Sequence, residues 1–147
     1  MEELVKLIDE RLEYVSHEIR GERIEITAES SSESAKCTKC GMGSTKIHSR
    51  YERKLQDLPI SGKKAKLILL RRKFFCQNPD CPNMTFAEGY SFFEGRARKT
   101  KRLEQEILQV SVRESSAAGA EYLRKNVADI GKSTICNLLK KTDSRDR

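Results

Sequence analysis

The sequence predicts an α+β protein, and three patterns carry that expectation. Apolar residues at Leu4, Ile8, Leu12, Val15 and Ile19 recur at helical steps near the N-terminus. The run "AKLILLRRKFF" (Ala65 to Phe75) is apolar, branched and aromatic in the manner of a strand, and it stops at Cys76. Short helical patterns then fill the C-terminal third.

Each element can be justified in order. The steps of four, four, three and four from Leu4 to Ile19 describe one face of an amphipathic helix, with Glu, Lys and Arg on the other side and Gly21 placed to end it. Ile24, Ile26 and Ala28 alternate with Glu25 and Thr27, the mark of a short strand. The stretch "ESSSES" reads as a solvated loop, so residues 1–35 form a first region of helix and strand. Residues 36–95 form a second. In it "CTKCGMGS" is a tight turn, residues 46–54 are extended, "LPISGKK" is a turn, and the Ala65 to Phe75 strand leads into a second turn at Cys81 and Pro82. An aromatic stretch with Phe86, Tyr90, Phe92 and Phe93 follows. Residues 96–147 form a basic helical region. Leu103, Ile107 and Val110 mark one helix. Ser115 or Ser116 caps another that passes through Ala118, Tyr122 and Leu123 and ends near Asn126. Ser133 caps a last one carrying Ile135, Leu138 and Leu139.

Composition narrows the function. Apolar residues make up 37% of the 147-residue chain, a thin supply for a core. The net charge of +7 is unevenly spread: residues 1–35 hold four Lys/Arg against ten Asp/Glu, and the remainder holds 25 against 12. A basic excess confined to one part of a chain suggests a polyanionic partner for that part. No run approaches the roughly 18–20 apolar residues of a membrane span, and the acidic N-terminus is unlike a signal peptide. The expectation is a cytoplasmic, nucleoid-associated protein with reduced thiols. There, five cysteines point to metal or catalysis before disulfides.

Four of those cysteines, Cys37, Cys40, Cys76 and Cys81, form a C-x2-C pair and a C-x4-C pair separated by 35 residues. Zinc takes four such ligands on a tetrahedron. Two tight turns can each supply two corners, with the strands between them forming a zinc-ribbon-like antiparallel sheet. Four thiolates leave no open position, so the Zn2+ would be structural, and its binding energy would offset the thin core. A redox dithiol at Cys37 and Cys40 is a weaker reading, because such pairs usually open a helix and Gly41-Met42-Gly43 opposes one; four unrelated buried thiols is the other. Cys136 reads as a small core residue. His17 and His48 read as surface or loop residues, with His48 a reserve ligand.

Ser115 to Lys141 has the proportions of a helix-turn-helix, with its turn at Gly131. In that motif the N-terminal residues of the second helix meet base edges; here these are Lys132, Ser133, Thr134 and Asn137, with Lys140 and Lys141 reaching phosphate. Arg96, Arg98, Lys99, Lys101 and Arg102 form a basic cluster suited to the DNA backbone, and Arg71, Arg72 and Lys73 add another beside the cysteines. A plain three-helix bundle with a basic surface has the same spacing.

The segments "CTKCG", "RKLQDLPISGKKAKLILLRRKFFCQNPDC", "TFAE", "ARKTKRLEQEIL" and "IGKSTICNLL" together resemble bacterial insertion-sequence transposases of the ISL-three type. The resemblance covers roughly residues 37 to 141 and is most specific from Asp57-Leu58-Pro59 through Cys81. It implies that Cys37, Cys40, Cys76 and Cys81 are the zinc ligands, that Arg71 and Arg72 lie beside the finger, and that a helix-turn-helix binds the terminal inverted repeats of the element. Members of that family continue into a ribonuclease-H-like domain whose acidic triad holds divalent metal for strand cleavage. This sequence stops at "KKTDSRDR", with Asp143 and Asp146 in a polar tail.

The leading expectation is therefore the non-enzymatic, zinc-dependent DNA-binding portion of a transposase, truncated before its catalytic domain. Double-stranded DNA at transposon ends would be the partner, with self-association through the N-terminal helix and no membrane or small-molecule substrate. A stand-alone zinc-ribbon/helix-turn-helix transcriptional regulator would use the same parts on a palindromic operator. A zinc-ribbon adaptor for protein or RNA would keep its affinity without residues 115–147.

Overall fold

The structure, a computed structural model, describes residues 1–113, 116–130, 134–135 and 137–138. The elements run α1 (Glu2–Ile8), β1 (Leu12–Arg20), β2 (Arg23–Ser30), β3 (Ala35–Lys36), β4 (Gly43–Ser44), β5 (Ile47–Ile60), β6 (Lys63–Phe75), β7 (Thr85–Ala87), α2 (Lys101–Arg113) and α3 (Ser116–Asn126). The main sheet has the order β1-β2-β6-β5, with β7 added to the end of β6, and β3 and β4 form a separate two-stranded ladder. Mixed α and β content is thus as the sequence led us to expect.

The N-terminal helix is shorter than its periodicity suggested. It ends at Ile8, and Asp9 is extended at φ −157° and ψ 130°. The Asp9 carboxylate accepts hydrogen bonds from the backbone N–H (2.9 Å) and the guanidinium (3.1 and 3.0 Å) of Arg11, which fixes the change of direction. From Leu12 the chain is a strand. Gly21, at φ +57°, turns it back so that β1 pairs with β2. Tyr14, Val15 and Ile19 favour extended backbone, and cross-strand pairing outweighed a helical spacing that Val15 and Ile19 satisfied by coincidence. Those two side chains are 44% and 53% exposed, while Leu12 is buried.

The remaining strands follow the sequence more closely. Ile24, Ile26 and Ala28 are all buried on one face of β2. β5 and β6 form a long hairpin whose two-residue turn, Ser61 and Gly62, has φ of 49° and 77°. Positive φ at both turn residues matches the right-handed twist of the flanking strands. Strand structure therefore reaches Ile60, leaving a turn narrower than "LPISGKK".

The chain divides into two compact units. The first comprises residues 1–17, 26–54 and 67–92, and the second residues 18–25, 55–66 and 93–147. In the first, Phe74 and Phe86 stack with ring centroids 5.8 Å apart and cluster with Cys37, with Ala35, Ile47, Cys76 and Cys81 packed around them. In the second, Leu103 and Ile107 of α2 pack with Ala120 and Leu123 of α3 and with Val127, Ala128, Ile130 and Ile135. Thr100 caps α2: its hydroxyl accepts from the N–H of Leu103 and donates to the Asp57 carboxylate at 2.7 Å. Asp57, 4% exposed, also accepts from Arg102 Nε at 2.8 Å. A buried carboxylate on β5 thereby fixes the start of α2.

Helical backbone returns at Thr134, Ile135, Asn137 and Leu138. Gly131, Lys132, Ser133, Cys136, Lys140 and Lys141 lie outside the described residues, as do Asp143 and Asp146.

Candidate metal centre

Two turns carry the four cysteines. In the first, Cys37 follows β3, the N–H of Gly41 donates to the Cys37 carbonyl at 3.0 Å, and the N–H of Cys37 donates to the Met42 carbonyl at 3.0 Å. Gly41 has φ +74°, a conformation costly for any side chain, and this lets the loop close within five residues. In the second, Cys76 follows β6, its N–H donates to the Met84 carbonyl at 2.9 Å, and the N–H of Cys81 donates to the Asn78 carbonyl at 3.1 Å. Hydrophobic burial of Phe74 and Phe86 holds this turn against β7, where Phe74 and Phe86 face each other in register.

The sulfurs converge. Cys37 Sγ lies 3.9 Å from Cys81 Sγ, Cys40 Sγ lies 3.6 Å from Cys76 Sγ, and all four lie within 4.8 Å of one another. A tetrahedron with zinc–sulfur bonds of about 2.3 Å has sulfur–sulfur edges of about 3.8 Å. The donor set therefore fits zinc in element, number and spacing. Cys37 is buried, Cys40 is exposed, and Cys76 and Cys81 are half-buried. All four are free thiols rather than disulfides.

Electrostatics explain why such a group needs a cation. The backbone N–H groups of Cys40 and Lys39 point at the Cys37 sulfur and bring its thiol down to about 6. The N–H of Met42 lowers Cys40 in the same way. At Cys76 the N–H of Asn78 acts in that direction, but burial and the neighbouring thiols outweigh it, and the group is pushed up to about 12. Cys81, which receives the N–H of Asn83, is also raised. Four thiols this close cannot all ionise beside one another alone. A dication removes the conflict because each metal–sulfur bond replaces a proton. The inward N–H groups then spread the residual negative charge of a four-thiolate site.

Residues 33–81, about a third of the chain, match the family model described as the zinc-finger of transposase IS204/IS1001/IS1096/IS1165. That span contains all four cysteines. No curated protein and no solved structure matches the chain. Residues 33–81 are thus similar to a transposase zinc finger, and the four sulfurs they bring together are a donor set suited to structural zinc.

The other sequence-selected residues fall in several places. Arg72 pairs with Glu88 (Nη2 to Oε2, 2.6 Å), donates to the Ser32 carbonyl at 2.6 Å and lies over the Phe74 ring. Arg71 Nε donates to the Glu88 carbonyl at 2.9 Å, and Lys73 is exposed. Arg96, Arg98 and Lys101 are exposed, and Lys99 is half-buried beside Gln56. The backbone of this basic loop is tied to β5: the N–H of Gln56 donates to the Arg98 carbonyl at 2.8 Å, and the N–H of Thr100 donates to the Gln56 carbonyl at 3.0 Å. Thr134 is half-buried and Asn137 exposed. His48, the reserve ligand, meets Ser49 and Phe75 and stands outside the sulfur cluster.

Sequence reasoning overlooked Asp57, Glu88, Gln56 and Asp129. Among them Asp57 had a signal, since it opens the most specific part of the resemblance.

Proposed function

We propose that this protein is the DNA-recognising portion of an insertion-sequence transposase, in which structural zinc holds the finger and a helix-turn-helix binds the terminal inverted repeats. The single observation that carries this reading is the convergence of four sulfurs inside the stretch that matches the transposase zinc finger. The basic loop supports it: Arg96, Arg98, Lys99 and Lys101 present cations from a backbone anchored to β5, a suitable arrangement for phosphate contacts. Arg71, Arg72 and Lys73 stand on β6, the strand that leads into Cys76, and Arg102 flanks the basic loop at the start of α2. Residues Lys132, Ser133, Thr134, Asn137 and Lys140 complete the proposed duplex surface, with the first four at base edges. The chain in this reading recognises ends and does not cut them. Self-association through α1, which exposes Leu4 and Leu7, belongs to the same proposal, and sedimentation of the zinc-loaded chain checks it.

The test is selection of duplex sequences by the zinc-loaded chain from a randomised pool. Enrichment of sequences matching the inverted ends of an insertion element is expected, with no magnesium-dependent nicking of them. Enrichment of a palindromic operator instead would move the chain to the class of transcriptional regulators, and no duplex binding at all would overturn both.

A further inference from the structure

One face of the finger has features that duplex recognition does not use. Phe75 is the last residue of β6, and its N–H donates to the Lys46 carbonyl at 2.9 Å, which brings the start of β5 alongside. The exposed His48 ring meets the half-buried Phe75 ring at 4.9 Å between centroids and 71° between planes. The Lys46 ammonium lies 5.2 Å from the centre of the same Phe75 ring. Side chains two apart on a strand share a face, so Arg50 stands with His48 and Lys73 stands with Phe75. Arg50 and Lys73 are both exposed.

The surrounding charge has the same sign. Residues 35–54 and 69–87, the two stretches that carry the cysteines, hold nine Lys/Arg against only Glu52 and Asp80. Four thiolates on one Zn2+ leave two negative charges, too few to account for that excess. Glu52, two residues beyond Arg50 and exposed, sets one limit of the cationic face.

We propose that the face bearing Lys46, His48, Arg50, Lys73 and Phe75 binds single-stranded DNA. An unpaired base stacks on the His48 ring, which Phe75 braces edge-on, and the flanking phosphates lie on the three cations. Duplex DNA offers proteins its base edges and its phosphates, and the flat faces of its bases are already stacked. An exposed His48 ring, braced edge-on by Phe75, is useful only to a base that has left the stack. Cations alternating with rings along two adjacent strands follow the backbone of one strand while the rings take its bases. DNA is chosen over RNA because this inference rests on the DNA-binding reading above.

The experiment measures binding of the full zinc-loaded chain to fluorescent oligothymidine, to oligouridine and to the selected duplex. The variants are His48→Ala, Lys73→Ala and the doubly substituted Lys46→Ala/Arg50→Ala, each checked for zinc content and circular dichroism. His48→Ala is expected to weaken oligothymidine binding at least about fivefold, the loss of one stacked base, with duplex affinity unchanged. Lys73→Ala is expected to reduce the log–log salt slope for oligothymidine by about 0.7, one phosphate contact on a single strand. Four results would each overturn the proposal: no oligothymidine binding by the unsubstituted chain, full affinity in folded His48→Ala, equal losses on duplex and single strand in His48→Ala, or tighter binding of oligouridine. Failure of duplex binding with selective single-strand loss intact would instead count against the helix-turn-helix reading and leave this face standing.

Discussion

Glu88 is a carboxylate with 1% of its surface exposed, held by Arg72 at 2.6 Å and by the Tyr90 hydroxyl at 3.1 Å. Arg72 is itself only 14% exposed and also donates to the Ser32 carbonyl at 2.6 Å. A pair this well satisfied adds little net energy over an apolar substitute, but removing one partner strands the other charge. Glu88→Ala should therefore cost about 3 kcal/mol in urea unfolding, whereas removing an exposed ion pair such as Arg20–Glu18 should leave the urea midpoint nearly unmoved. At the metal centre the stakes are larger. Cys76→Ser removes one of four corners and is expected to abolish stoichiometric zinc and melt the finger, since structural zinc supplies about 10 kcal/mol or more to small folds. Elemental analysis and a thermal melt check both parts; full metal content with an unchanged melt would refute the site.

Among the elements, the β5–β6 hairpin depends on its turn. Gly62 stands at φ 77° with open space where a Cβ would be, so Gly62→Ala should cost only the backbone strain of a left-handed residue, about 1–2 kcal/mol. A calorimetric loss well outside that range would show that the turn does more than join strands. The segment after α3 is held differently. Asp129 takes Arg23 and Lys64 on its carboxylate, while Gln56 accepts from its N–H at 2.8 Å and donates to its carbonyl at 3.2 Å. Arg23 first, then Lys64, hold the Asp129 carboxyl well below the usual carboxylate range, even against its partial burial. A carboxyl depressed in the folded state contributes stability above its unfolded pKa near 4 and loses it as pH falls toward the folded value. Stability should therefore decline below about pH 4, and Asp129→Asn should flatten that decline while lowering stability at neutral pH. An unchanged acid limb in urea melts would show that Asp129 is not coupled to folding.

For the molecule as a whole, the charge distribution makes a salt prediction. If about six of the proposed cations meet phosphate, duplex affinity should fall by about a thousandfold between 50 and 200 mM salt, read from the slope of log affinity against log salt. A slope near zero would remove the basic loop from the interface. No described helix is long and apolar enough to cross a membrane. The four-cysteine cluster was legible in the sequence because its information is local: C-x2-C and C-x4-C each describe one turn, and Gly41 marks where the first must close. The β2 and β6 strands and the helices α2 and α3 were legible for the same reason, through alternation or period repeated over adjacent residues. The carboxylate anchors were not. Asp57 finds Arg102 across 45 residues, and Asp129 finds Arg23 across 106, separations over which sequence carries no register. Residues 12–20 departed from the expected helix for a related reason: Leu12, Val15 and Ile19 satisfied a helical spacing, and only a partner strand could turn that stretch into β1. By itself, then, the sequence determined the two cysteine pairs, the basic bias and most elements, because these depend on neighbours along the chain. Tertiary structure alone decided where the N-terminal helix stops, which carboxylates are buried and which side chains surround the Phe75 ring, because pairing and burial are settled between residues that meet only after folding.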